Sequence, residues 1–170
     1  LRTSQEQITA IYNAIPDMIA VTRFHDGVIV EINDAAVRIY GQTREEIVGQ
    51  LIAWLELHAN AKTGLVPSYE GDPKLEAISY TYDQALAAIA FALFQKNEPA
   101  RRILSFYKDK APKSDGGYLS SYETTSGQAV EWNVHVGPNV WIGIAALQYQ
   151  RLSGDSSFLG VAQAIGGWLL

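Results

Sequence analysis

The chain has 170 residues, 48% apolar and 18% charged, with a net charge of −5 and a pI near 5.1. Such a composition supports a folded chain with one or two small cores, and the lack of any basic cluster excludes a nucleic-acid footprint. The absence of cysteine excludes disulfides, thiolate metal sites and thiol catalysis, and the most apolar run, residues 160–170, is too short to cross a bilayer, so no membrane partner is expected.

The first stretch, SQEQITAIYNAI, places apolar residues at 8, 11, 12 and 15, the spacing of a helix, and Pro16 ends it. MIAVTRFHDGVIVEIN follows, two β-rich runs around Asp26-Gly27, which signals a tight hairpin because glycine supplies the positive φ. His25 at that turn reads as a solvated turn residue rather than a ligand. Asn33 or Asp34 caps a helix over DAAVRIY that Gly41 closes. Thr43 and Glu46 form a capping box for the next helix, REEIVGQ.

This order, with IPDMI, DGVIVEIN and IYGQTREEIVGQ, resembles the N-terminal half of a PAS sensory domain over residues 4–50. The resemblance implies sensing or dimerisation, so a homodimer through this segment is an expected partner. It also implies a further helix and three strands that do not follow, so no ligand-binding residue is carried over. Residues 1–50 are therefore expected to be an incomplete PAS-like segment. A two-strand hairpin is marginal alone and needs packing from elsewhere.

From residue 51 the chain repeats itself. TGLVPSYEGD aligns with GGYLSSYETT, pairing Gly64 with Gly117 and Ser68-Tyr69-Glu70 with Ser121-Tyr122-Glu123. Helical stretches repeat on either side, with Leu51 on Leu104, Leu86 on Ile144 and Ile89 on Leu147. Residues 82–95 and 139–152 are apolar on nearly every side, the pattern of buried inner helices. Residues 99–110 carry Arg101, Arg102, Lys108, Asp109 and Lys110 as a half-exposed outer helix would. KNEP and SGDSS are the short turns of antiparallel neighbours. The long loops should therefore gather at the opposite end, by the N-termini of the inner helices.

TGLVPSYEGD, YTYDQALAAIAF, DGGYLSSY, HVGPNVWIGIAAL and GDSSFLGVAQAIGGWL together resemble part of a six-hairpin (α/α) toroid glycosidase over residues 51–170. EGD followed by SYTYDQAL is also similar to the Glu-Gly…Tyr segment of toroid endoglucanases, whose Glu is the general acid. The expected fold class is mainly α, an antiparallel α-hairpin array, a partial toroid of about two and a half hairpins, preceded by the PAS-like helix, β-hairpin and helix. Two partial folds meeting at Gln50-Leu51 read as a truncated or chimeric chain.

Glycoside hydrolysis needs two carboxyl groups across the scissile bond, roughly 5–5.5 Å apart when retaining and 6.5–9.5 Å when inverting. The loop end offers Glu70, Asp83 and Glu123 as catalytic candidates, besides Asp72, Asp115 and Glu131. Each has a structural alternative: Glu70 and Glu123 brace their loops, Asp83 complements a helix N-terminus, and Asp115 makes a turn. Tyr69, Tyr80, Tyr82, Tyr118, Tyr122, Trp132 and Trp141 are candidate sugar platforms, against an ordinary packing role. His135 and Asn139 are candidates for sugar hydroxyls, against fixing their loop, and His58 reads as a helix C-terminal residue. No metal spacing, phosphate loop or nucleophile elbow appears, so no metal or cofactor is expected. The resemblances imply two functions. One is carbohydrate processing on an oligosaccharide or polysaccharide; the alternative is a PAS-type signalling module or scaffold.

Overall fold

The computed structural model describes residues 4–17, 19–22 and 29–170. The chain forms two compact units, Leu1–Ala53 and Trp54–Leu170. His25 and the Asp26-Gly27 turn lie outside the described residues.

The first unit runs α1 (Ser4–Ala14), β1 (Ala20–Thr22), β2 (Ile29–Ile32) and α2 (Asp34–Tyr40), and then enters α3 (Arg44–His58), whose last turn belongs to the second unit. β1 and β2 pair antiparallel, Ala20 opposite Ile32 and Val21 opposite Glu31. Asn33 caps α2, its Oδ1 accepting from Ala36 N–H, and Gly41 closes the helix at φ +65°. Thr43 and Glu46 make the reciprocal capping box, with Thr43 N–H donating to Glu46 Oε2 at 2.7 Å and Glu46 N–H to Thr43 Oγ1 at 3.3 Å. The Glu46 carboxyl is held below its usual range by those Thr43 donors.

Fully buried Asn33 does more than cap. Its Nδ2 donates to the carbonyls of Tyr12, Ile15 and Asp17, and its Oδ1 also accepts from Ile19 N–H at 3.0 Å. One side chain thus satisfies the backbone leaving α1, the backbone entering β1 and the start of α2.

The second unit continues with β3 (Ile78–Tyr80), α4 (Thr81–Leu93), α5 (Asn97–Asp109), β4 (Lys113–Ser114), β5 (Gly117–Tyr118), β6 (Ser121–Glu123), β7 (Ala129–Glu131), α6 (Val136–Ser153) and α7 (Leu159–Trp168). The chain is mainly helical, as its periodicity predicts. α4 packs on α6, and short connections fold α5 back on α4 and α7 back on α6. The core joins these helices through Phe91, Ile103, Leu104, Ile142 and Phe158, and extends into the loops through Leu65, Leu119 and Tyr122. Phe106, Tyr107, Tyr118 and Tyr122 meet edge to face, with centroids 5.1–5.9 Å apart, the favoured arrangement of ring quadrupoles.

One expectation needs correction. The inner helices are not buried on every side: Tyr82, Leu86 and Phe94 of the α4 region and Val136 and Leu147 of α6 are exposed, because α5, α6 and α7 cover the other faces. The long loops carry short strands of their own. They pair into one antiparallel sheet in the order β3-β6-β7, with Ser79 opposite Tyr122 and Ser121 opposite both Tyr80 and Glu131. β3 runs directly into α4, and β7 ends a few residues before α6. The two long loops therefore converge at the N-terminal ends of α4 and α6.

Candidate ligand site at the loop end

Each inner helix grips the loop before it through a buried amide. Gln84 accepts from Val66 N–H at 2.9 Å and donates to Val66 C=O at 2.8 Å. Asn139 does the same to Tyr118, at 2.8 and 2.9 Å, and also donates to His135 C=O. Asn139 is fully buried and committed to this grip, so it shapes the loop rather than facing a ligand. Gln84 went unread in the sequence; a polar residue in an otherwise apolar inner helix was the signal that could have revealed it.

Tyr122 is likewise fully buried. Its hydroxyl donates to Pro112 C=O at 2.8 Å and accepts from Leu119 N–H at 2.9 Å, and burial raises its pKa far beyond the ordinary phenol range. Its repeat counterpart, Tyr69, is about half exposed. The two Ser-Tyr-Glu segments are alike in sequence and unlike in environment.

The same holds for their acids. Glu70 is exposed and accepts from Trp54 Nε1 at 3.0 Å, while Trp54 stacks on His58 with centroids 4.1 Å apart. Glu123 folds back on its own turn, taking bonds from Thr125 Oγ1 at 2.9 Å and from Ser126 N–H. Partial burial pushes the Glu123 carboxyl up, but the Ser126 and Thr125 donors outweigh it and hold the group at about 2. Asp83 stands in the first turn of α4, where the helix dipole favours a carboxylate.

A cluster does form around the helix starts. The Tyr82 ring meets Trp141 edge to face at 5.7 Å, and Tyr69 meets Tyr80 the same way at 6.0 Å. Desolvation, the Glu131 carboxylate, Tyr69 and Asp83 together raise the Tyr80 phenol above its usual pKa, with a hydrogen bond to Glu131 contributing. Tyr80 is the N-cap of α4 and His135 the N-cap of α6, and neither cap side chain bonds its helix. His135 Nδ1 lies 2.9 Å from Ser120 Oγ, which fixes it to its loop. Trp132 is two-thirds exposed and joins no ring contact among the described residues. The arrangement thus brings Tyr69, Tyr80, Tyr82, Asp83, Glu131 and Trp141 to one end, while Tyr122 and Asn139 are fully buried and Glu123 is bonded by its own turn. No group of metal-binding side chains forms among the described residues.

Comparison with known families places the PAS fold on residues 6–62, about a third of the chain. That span supports the PAS-like reading of the N-terminal segment and carries it past Gln50 to the end of α3 and beyond. Neither the curated proteins nor the solved structures give a match.

Proposed function

We propose that the chain serves as a signal-transduction module, with residues 6–62 as its PAS-like sensory or dimerising segment. The PAS family match carries this reading. It is supported by α1, on which Ile8 and Ile11 are more than half exposed, as a self-association face would require. Light scattering on the intact chain tests it: a species of twice 18.7 kDa is expected, returning to monomer in Ile8→Asp and Ile11→Asp. A chain that stays monomeric at every concentration removes the dimerising role.

A second reading, carbohydrate binding or processing by the helical unit, is favoured by one observation: Tyr69, Tyr80, Tyr82 and Trp141 gather with Glu131 and Asp83 at the starts of two inner helices. Exposed ring faces suit the C–H face of a pyranose, and carboxylates suit its hydroxyls. Hydrolysis would fall to the loop-end acids Glu70 and Asp83, with Glu123 engaged by its own turn. A reducing-sugar assay against neutral polysaccharides tests for turnover, and a glycan array tests for binding.

A further inference from the structure

β6 is the middle strand of the loop-end sheet, and Ser121 stands directly opposite Tyr80 on one side and Glu131 on the other. Directly opposed residues project from the same face of a sheet, so Ser121 shares a face with Tyr80 across the regular β3–β6 pairing, and Glu131 stands opposite it on the other side, where the β6–β7 register shifts between Ser121 and Tyr122. Tyr122, the next residue, turns the other way into the core. Ser121 is fully buried, and its Oγ is the one buried side-chain polar atom without a hydrogen bond among the described residues. The neighbouring hydroxyls are all satisfied: Ser79 Oγ bonds Val66 C=O and Thr124 Oγ1, and Ser120 Oγ bonds Asn133 C=O and His135. An orphan in so well-paired a sheet asks for an external partner.

The groups around it define that partner's charge. Glu131 and Asp83 disfavour an anion, and no lysine or arginine pairs with Glu131 among the described residues. The N-termini of α4 and α6, without side-chain caps, disfavour a cation. What remains is a neutral ligand rich in hydroxyls and able to lie against rings. We propose that the Tyr80–Ser121–Glu131 row is a subsite for a neutral sugar, one hydroxyl of which bonds Ser121 Oγ while another donates to Glu131. The proposal rests on the carbohydrate-binding reading above.

The test uses the intact chain on an array of neutral oligosaccharides, followed by titration of the tightest one through tryptophan fluorescence. Glucosamine and glucose 6-phosphate serve as cationic and anionic controls. Ser121→Ala and Glu131→Gln should each weaken binding at least tenfold. Tyr80→Phe, which keeps the ring and removes only a phenol hydroxyl near Glu131, should leave it equal or tighter. Ser121→Ala deletes an unsatisfied group, so its thermal midpoint should not fall, which separates lost binding from lost folding. Neutral sugars bound equally by all three variants would overturn the row and leave the carbohydrate reading standing. Preference for either charged control would overturn the neutral class. Failure of the folded chain to bind any neutral glycan would overturn the reading and the row together.

Discussion

Trp54 Nε1 donates to Glu70 Oε2 at 3.0 Å, tying the loop acid to the last turn of α3. The two readings of Glu70, loop brace and general acid, make different predictions at this contact. Because Glu70 is exposed, the bond exchanges readily with water and contributes little to folding. Glu70→Ala should lower the stability of the helical unit by less than about 1 kcal/mol in urea denaturation. If the residue also works on a sugar, the same variant should lose activity far out of proportion to that change.

Asn139 makes the opposite case. Replacing it by Ala leaves both the N–H and the C=O of Tyr118 unpaired in the interior, and each buried orphan costs about 1–3 kcal/mol. Asn139→Ala should therefore destabilise by about 2–4 kcal/mol. Gln84→Ala should cost less, about 1–3 kcal/mol, because Val66 C=O keeps its bond from Ser79 Oγ and only Val66 N–H is orphaned. A small effect in both would show that the loops hold their shape without the amide grip.

Gly64 occupies φ +79°, and a Cβ there would lie 2.7 Å from the Arg102 carbonyl carbon. Gly71 has φ +84° with open space around it. Gly71→Ala should show the cost of backbone strain alone, about 1 kcal/mol, whereas Gly64→Ala adds a clash with backbone that cannot move aside and should cost at least about 2 kcal/mol. Chemical denaturation of the two variants side by side separates strain from collision.

The helices were legible because their signals are local. Thr43 with Glu46, Asn33 with Gly41 and the apolar runs of α4 and α6 each act within a few residues of chain. The loop-end sheet was not, because its strands are only three residues long and its pairing joins Ser79 to Tyr122 across the whole α4–α5 hairpin. Short strands leave no period to read. The repeat misled for a related reason. Gly64 aligns with Gly117, yet the positive φ of the second copy falls on Gly116, where Asp115-Gly116 turns the β4–β5 hairpin. Tyr122 and Tyr69 share a motif position but not a side of the sheet's surroundings. Sequence similarity preserved the helices and not the loops: Ser121-Tyr122-Glu123 is strand β6, whereas Ser68-Tyr69-Glu70 forms no strand.

Asn33 concentrates the polar organisation of the first unit in one residue. Its Ala variant would strip partners from the carbonyls of Tyr12, Ile15 and Asp17 and from Ile19 N–H, in a unit whose sheet has only two strands among the described residues. The loss, about 2–4 kcal/mol, is large for so small a unit. Hydrogen exchange should show residues 29–40 losing protection while α4 and α6 keep theirs. Equal loss throughout would mean that the chain opens as one cooperative body.

Glu123 gives a prediction with a definite sign. Its carboxyl titrates at about 2 in the folded chain, against an ordinary value of 4.5. A depressed carboxylate stabilises the fold fully above the unfolded pKa, and the contribution disappears as pH falls through the folded one. The window is therefore about pH 4.5 down to about 2. The turn is partly solvated, so screening reduces the effect to on the order of 1 kcal/mol. Glu123→Gln should be less stable than the parent chain at neutral pH by about that amount, and the two should converge near the acid end of the window. Thermal melts between pH 7 and pH 2 measure the convergence. Curves that stay parallel would mean that the Ser126 and Thr125 bonds hold the turn equally well whatever the charge on Glu123.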